Sequence, residues 1–202
     1  MSLDLNRSSR RLAVTLGVVG VGNCISLIAL FVIGGPLGTI NDVGNAVLGL
    51  LSGALAVILW RSGATPGPGH GLVASIVAAL GAVVTVIGSV LILTDSTGYF
   101  LAGLVSSSGF ALIGVWLISL NRPSRRLGSG VVAGAVMALG FIGVPGIAMG
   151  VDDMETAPVW LLVGGVSWFG TYILFPIWSI RLGLGDETPR ALSAARRDAG
   201  RP

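Results

Sequence analysis

The sequence predicts an all-α polytopic membrane protein of six transmembrane helices, with both termini on the cytoplasmic side. Three observations carry this. Of 202 residues, 53% are hydrophobic and only 10% charged, and the mean hydropathy is +0.90, values outside the range of soluble domains. The apolar residues fall in six continuous runs separated by short polar connections. The basic side chains, all arginines, sit only in alternate connections: Arg7, Arg10 and Arg11, then Arg61, then Arg122, Arg125 and Arg126, then Arg181, Arg190, Arg196, Arg197 and Arg201. The intervening connections carry acids alone, namely Asp42, then Asp95, then Asp152, Asp153 and Glu155. Cytoplasmic loops collect Arg because the membrane potential and anionic lipids oppose its translocation.

The runs cover about 12–33, 43–60, 71–94, 99–120, 130–151 and 159–180, near the roughly 20 residues that an apolar helix needs to cross hydrocarbon. Each is continuously apolar rather than alternating, so helices are expected and not barrel strands. The first run follows Arg10-Arg11 as a signal sequence would, but it is too long for one and reads as a retained span. The second is the shortest, with Asn41 or Asp42 as the expected N-cap. The third and fourth are joined by only Asp95-Ser96-Thr97-Gly98 and must form an antiparallel hairpin. Ser96 or Thr97 is the expected N-cap of the fourth span. The fifth has glycines at 130, 134, 140, 143, 146 and 150 and a proline at 145. That pattern predicts close helix approach and a kink near Phe141–Pro145, with no equally strong break elsewhere. The sixth starts after Thr156 and Pro158. Residues 1–180 thus form a single bundle, and 181–202 a polar cytoplasmic tail in which Thr188-Pro189 begins a short helix. Residues 73–81 match 132–140 at six of nine positions, which suggests three helical hairpin repeats. Trp60, Trp116, Trp178, Tyr99 and Trp160 lie near span ends and are expected to anchor the bundle at the interfaces.

Composition excludes much. One cysteine rules out an internal disulfide or a cysteine-cluster metal site, and one histidine rules out a bis-histidine haem. The absence of lysine rules out a retinal Schiff base. The net charge of +3 belongs to the cytoplasmic edges of the spans, so no nucleic-acid partner is expected. Lysine-free basicity with 32 glycines fits a GC-rich bacterial genome.

No ionisable side chain is expected near the centre of a span, and no nucleophile–base pair, cofactor motif or metal-ligand spacing is present. Catalytic, cofactor and metal residues are therefore none. A layer of neutral polar groups does lie near half depth, and from it Asn23, Ser107, Trp168, Thr171 and Tyr172 are the candidate ligand-binding residues. The first functional reading is a non-enzymatic accessory or assembly subunit of the cell membrane, surrounded by lipid and meeting other membrane proteins through a surface rich in small residues. The alternative is a small permease or sensor for a neutral or apolar molecule. A closed interior favours the first; a cavity of roughly 300 Å³ or more bordered by Asn23, Trp168 and Tyr172 favours the second.

Overall fold

In the computed structural model of the chain, residues 5, 7–65, 67–121 and 128–185 are described. Arg122, Arg125 and Arg126, and the tail from residue 186 with its Thr188-Pro189 start, lie outside them. Six helices are long and apolar enough to cross a membrane: α1 (Arg7–Ile33), α2 (Leu37–Arg61), α3 (Pro68–Leu93), α4 (Tyr99–Asn121), α5 (Ser129–Ala148) and α6 (Val159–Leu184). Among the described residues there is no strand.

The connections are short enough to force neighbours together, and each helix packs against the next in sequence while α6 closes the ring on α1. Gly34-Gly35-Pro36 turns α1 into α2 with both glycines at positive φ, where a side chain would be strained. Leu37, Ile40 and Val43 then carry α2 directly onward, so this helix starts six residues before the expected position 43. The expected caps are corrected accordingly. Pro36 precedes α2, and Asn41 and Asp42 lie inside the helix. Pro158, not Thr156, immediately precedes α6.

Two glycine pairs set the helix spacing. A Cβ built on Gly81 would stand 2.6 Å from the Gly109 carbonyl oxygen, and one on Gly109 would stand 2.6 Å from that of Gly81. Gly114 and Gly134 meet in the same reciprocal way, at 2.6 and 2.5 Å. Backbone therefore touches backbone where α3 meets α4 and where α4 meets α5. Helix α4 is the most buried of the six.

Toward the Arg-bearing end the ring is filled. Leu16, Leu48, Leu55, Leu59, Leu117 and Met137 are fully buried there. Trp116 and Trp178 meet edge to face at a centroid distance of 6.1 Å, and Phe175 stacks on Trp178 at 5.9 Å. These two tryptophans are core residues, 0% and 1% exposed, which corrects their expected role as interface anchors. Each indole faces an inter-helix space that small neighbours open, as Gly130 does beside Trp178. Tyr99 and Trp160 remain exposed at the other end, as anchors would be.

Helices α5 and α6 are both irregular. Helix α5 is regular over Ser129–Ala138, tightens into a 3₁₀ turn over Leu139–Gly143 and resumes over Val144–Ala148. The break lies one turn before Pro145, which has no N–H to offer the Phe141 carbonyl. Helix α6 has a partner break, where the sequence predicts none as strong as that of α5. It is interrupted at Gly165 and opens into a π turn over Gly170–Leu174. The π turn has the same kind of cause: Pro176 withholds the donor that the Tyr172 carbonyl would take in a regular helix. The first turns of α6, Val159–Gly164, lean on the 3₁₀ segment of α5.

Replacing Gly134 with Leu is expected to lower the midpoint of thermal unfolding in mild detergent sharply, because overpacking costs about 1–3 kcal/mol or more and here the clash is with backbone. Leu50→Ile, on an exposed apolar face, should leave the midpoint unchanged. Equal behaviour of the two variants would refute the glycine-contact account.

Candidate functional site

The polar groups of the acidic half form two knots and a chamber between them. In the first knot, Asn45 Oδ1 accepts from Asn23 Nδ2 at 2.8 Å and from the Tyr172 hydroxyl at 2.9 Å. One carbonyl oxygen thus ties α1, α2 and α6. Ser26 Oγ donates to the Asn23 backbone oxygen at 2.9 Å. Gly44 makes room for this contact, since a side chain there would collide with the Asn23 amide. In the second knot, Trp168 Nε1 donates to Ser107 Oγ at 2.9 Å, joining α6 to α4. Thr171 Oγ1 bonds back to the Ser167 carbonyl at 3.2 Å within its own helix.

Of the five candidates, Ser107, Trp168, Thr171 and Tyr172 border a common chamber of about 30 Å³, the size of one water molecule. Asn23 does not line it; it acts one residue away, through Asn45. Two residues that the sequence reading left out belong here. Asn45 supplies the shared acceptor, and Asp42 brings a carboxylate to the chamber wall. Both were legible as soon as α2 was begun at Leu37. Asn41 and Asn45 are then four apart on one buried face, and Asp42 is a residue of the span rather than of the loop. Asn41 lies beside the Asp42 carboxylate and the Tyr172 hydroxyl, and its own Oδ1 is buried without a donor.

Next to the chamber is a cleft of about 490 Å³, bordered by α4, α5, α6, the Asp152–Met154 segment and Phe31 of α1. Its walls are mainly apolar, including Phe100, Leu104, Leu161 and Leu162. Gly140 and Gly143 of the α5 break and Gly164 and Gly165 of the α6 break form part of its surface. Trp168, Ser107, Tyr99 and Gly103 line both spaces, so the second knot is the partition between them. The expected cavity is larger than 300 Å³, yet it meets Trp168 and not Asn23 or Tyr172. Asp152 and Asp153 stand at its mouth. Among the described residues, no group of three or more metal-ligating His, Cys, Asp or Glu side chains occurs.

No protein-family model matches the sequence, and no curated protein or solved structure is significantly similar to it.

Asn45→Leu should be the most damaging change in the knot, because it orphans both the Asn23 amide and the Tyr172 hydroxyl. Each orphaned buried group costs about 1–3 kcal/mol. Ser26→Ala, which removes a bond worth about 0.6 kcal/mol on average, should scarcely shift the unfolding midpoint. A smaller loss in Asn45→Leu than in Ser26→Ala would show that Asn45 is not the shared anchor.

Proposed function

We propose that this six-helix, multi-pass membrane protein is a non-enzymatic permease or sensor that takes a small, mostly apolar molecule into the cleft between α4, α5 and α6. The observation that carries the reading is the cleft itself. A space of about 490 Å³ with apolar walls falls within the range of small-molecule sites. It is built where two adjacent spans are both broken, a placement shared with transporters whose discontinuous helices line the binding site. The π turn of α6 belongs to a class of irregularity that recurs at functional sites. Trp168 offers a flat aromatic wall, and Ser107, Tyr99 and the backbone freed at the breaks offer a few polar contacts.

The first reading of the sequence, an assembly subunit, drew on small residues available to a partner. The glycines in tight contact spend that capacity inside the bundle, against Gly81, Gly109, Gly114, Gly134 and the neighbours of Gly17, Gly20, Gly146 and Gly183. The exposed faces of α1 and α3 carry Val18, Ile25, Ile28, Leu72, Val73, Ile76, Leu80, Val83 and Ile87, side chains suited to lipid. The arginine pattern supports a bacterial cytoplasmic membrane with the Arg-bearing end inside, so the cleft opens on the outer side.

An apolar fluorophore such as N-phenyl-1-naphthylamine should bind the purified protein saturably. A Cβ at Gly103 would meet nothing closer than the Trp168 ring at 3.8 Å, so Gly103→Leu should fold normally while filling the cleft. It is expected to weaken probe binding about tenfold or more, a loss of ~1.4 kcal/mol or greater. Non-saturable uptake that is equal in both proteins would defeat the reading. Orientation is tested separately by labelling single cysteines in a Cys24→Ser background of intact cells. Thr97→Cys should react with an impermeant maleimide and Ser62→Cys should not; the reverse pattern would invert the topology.

A further inference from the structure

Among the described residues, Asp42 is the only acid inside a span; Asp95, Asp152, Asp153 and Glu155 lie in connections. It stands in the second turn of α2, half-buried, on the wall of the water-sized chamber. The described arginines Arg7, Arg10, Arg11, Arg61 and Arg181 belong to helix ends at the opposite end of the bundle, so none of these described cations faces this carboxylate. An ionised group in a span is retained where it meets a partner or lines an ion path.

The rest of the chamber is rich in oxygen whose donor capacity is already committed. The Tyr172 hydroxyl donates to Asn45 Oδ1, and Thr171 Oγ1 donates to the Ser167 carbonyl. Neither hydroxyl therefore has a proton left to donate into the space it lines. Tyr99 and Ser107 add two further hydroxyl oxygens. One carboxylate, several neutral hard oxygens and a volume of about 30 Å³ suit one small monovalent cation, whose charge a single carboxylate balances.

We propose that the Asp42 chamber is a sodium-ion site. Asp42 supplies the neutralising charge, and the oxygens of Tyr172, Thr171 and Tyr99, which line the same space, replace part of the hydration shell. Because Tyr99, Ser107 and Trp168 also line the cleft, the ion lies one side chain away from the apolar space. The ion site stands on its own oxygens and does not require the cleft to have a ligand.

The test is thermal unfolding of the full-length protein in mild detergent at fixed ionic strength and pH, with sodium chloride exchanged stepwise for choline chloride. A ligand bound only by the native state raises the midpoint as it saturates. Wild type should show a saturating rise with sodium. Asp42→Asn should show none, and Glu155→Gln, on an exposed connection outside both linings, should respond as wild type does. Tyr99→Phe, which keeps the exposed ring and removes one oxygen, should move the half-saturating sodium concentration upward severalfold, and it decides the matter if Asp42→Asn does not fold. The proposal is overturned if wild type shows no sodium response, if acid alone raises the midpoint and sodium does not, or if the sodium curve is unchanged in Asp42→Asn or in Tyr99→Phe.

Discussion

Everything in this bundle depends on how closely α4 can approach its two neighbours. Lipid tails are as apolar as leucine, so burial of hydrocarbon gives no net drive for helices to associate in a membrane. What remains is contact, and contact is densest where backbones touch. The Gly81–Gly109 and Gly114–Gly134 pairs supply this on both sides of α4. With α4 fixed between α3 and α5, the short connections leave α1, α2 and α6 only the remaining arc of the ring. The space enclosed at the Arg-bearing end is then narrow enough to be filled by Trp116, Phe175 and Trp178.

The opposite half stays open for a reason that is also local. Two prolines, Pro145 and Pro176, each withhold one amide proton from the carbonyl four residues earlier. The helices resolve this in opposite directions, α5 by tightening into a 3₁₀ turn and α6 by loosening into a π turn. Regular helices would keep their side-chain stripes facing the ring centre along their whole length. After these changes of winding, the first turns of α6 rest on the broken part of α5, and the gap beside them is the cleft. Gly140, Gly143, Gly164 and Gly165 border it without filling it.

Six spans and their helical character were readable because lipid imposes one rule on every backbone group, and a continuous apolar run satisfies it in one way. The site was only partly readable. Ser107, Trp168, Thr171 and Tyr172 were found because polar atoms at half depth need partners whatever the tertiary structure. Asn45 and Asp42 were missed because hydropathy alone drew the start of α2 at the last polar residue, whereas Leu37 and Ile40 let the helix begin in front of it. The break in α6 was missed for a different reason: Pro176 lies among Phe175, Ile177 and Trp178 and reads as an ordinary late-span proline. Its effect appears a turn earlier, at Tyr172. Trp116 and Trp178 were misplaced because a tryptophan near a span end suits the interface and the core equally well, and only the neighbouring helix decides.

Asn45 links stability and chemistry in one atom. Its Oδ1 takes the Asn23 amide and the Tyr172 hydroxyl together, so removing it strands two donors in a medium that offers no replacement. That cost holds α1, α2 and α6 in register in the acidic half. It also fixes which way the Tyr172 proton points. A hydroxyl held as a donor to Asn45 has no proton left for its other neighbours, and Tyr172 and Asn45 line the chamber together with Asp42. The bond that closes the ring in the acidic half is therefore also the bond that orients a hydroxyl of the chamber where Asp42 supplies the charge.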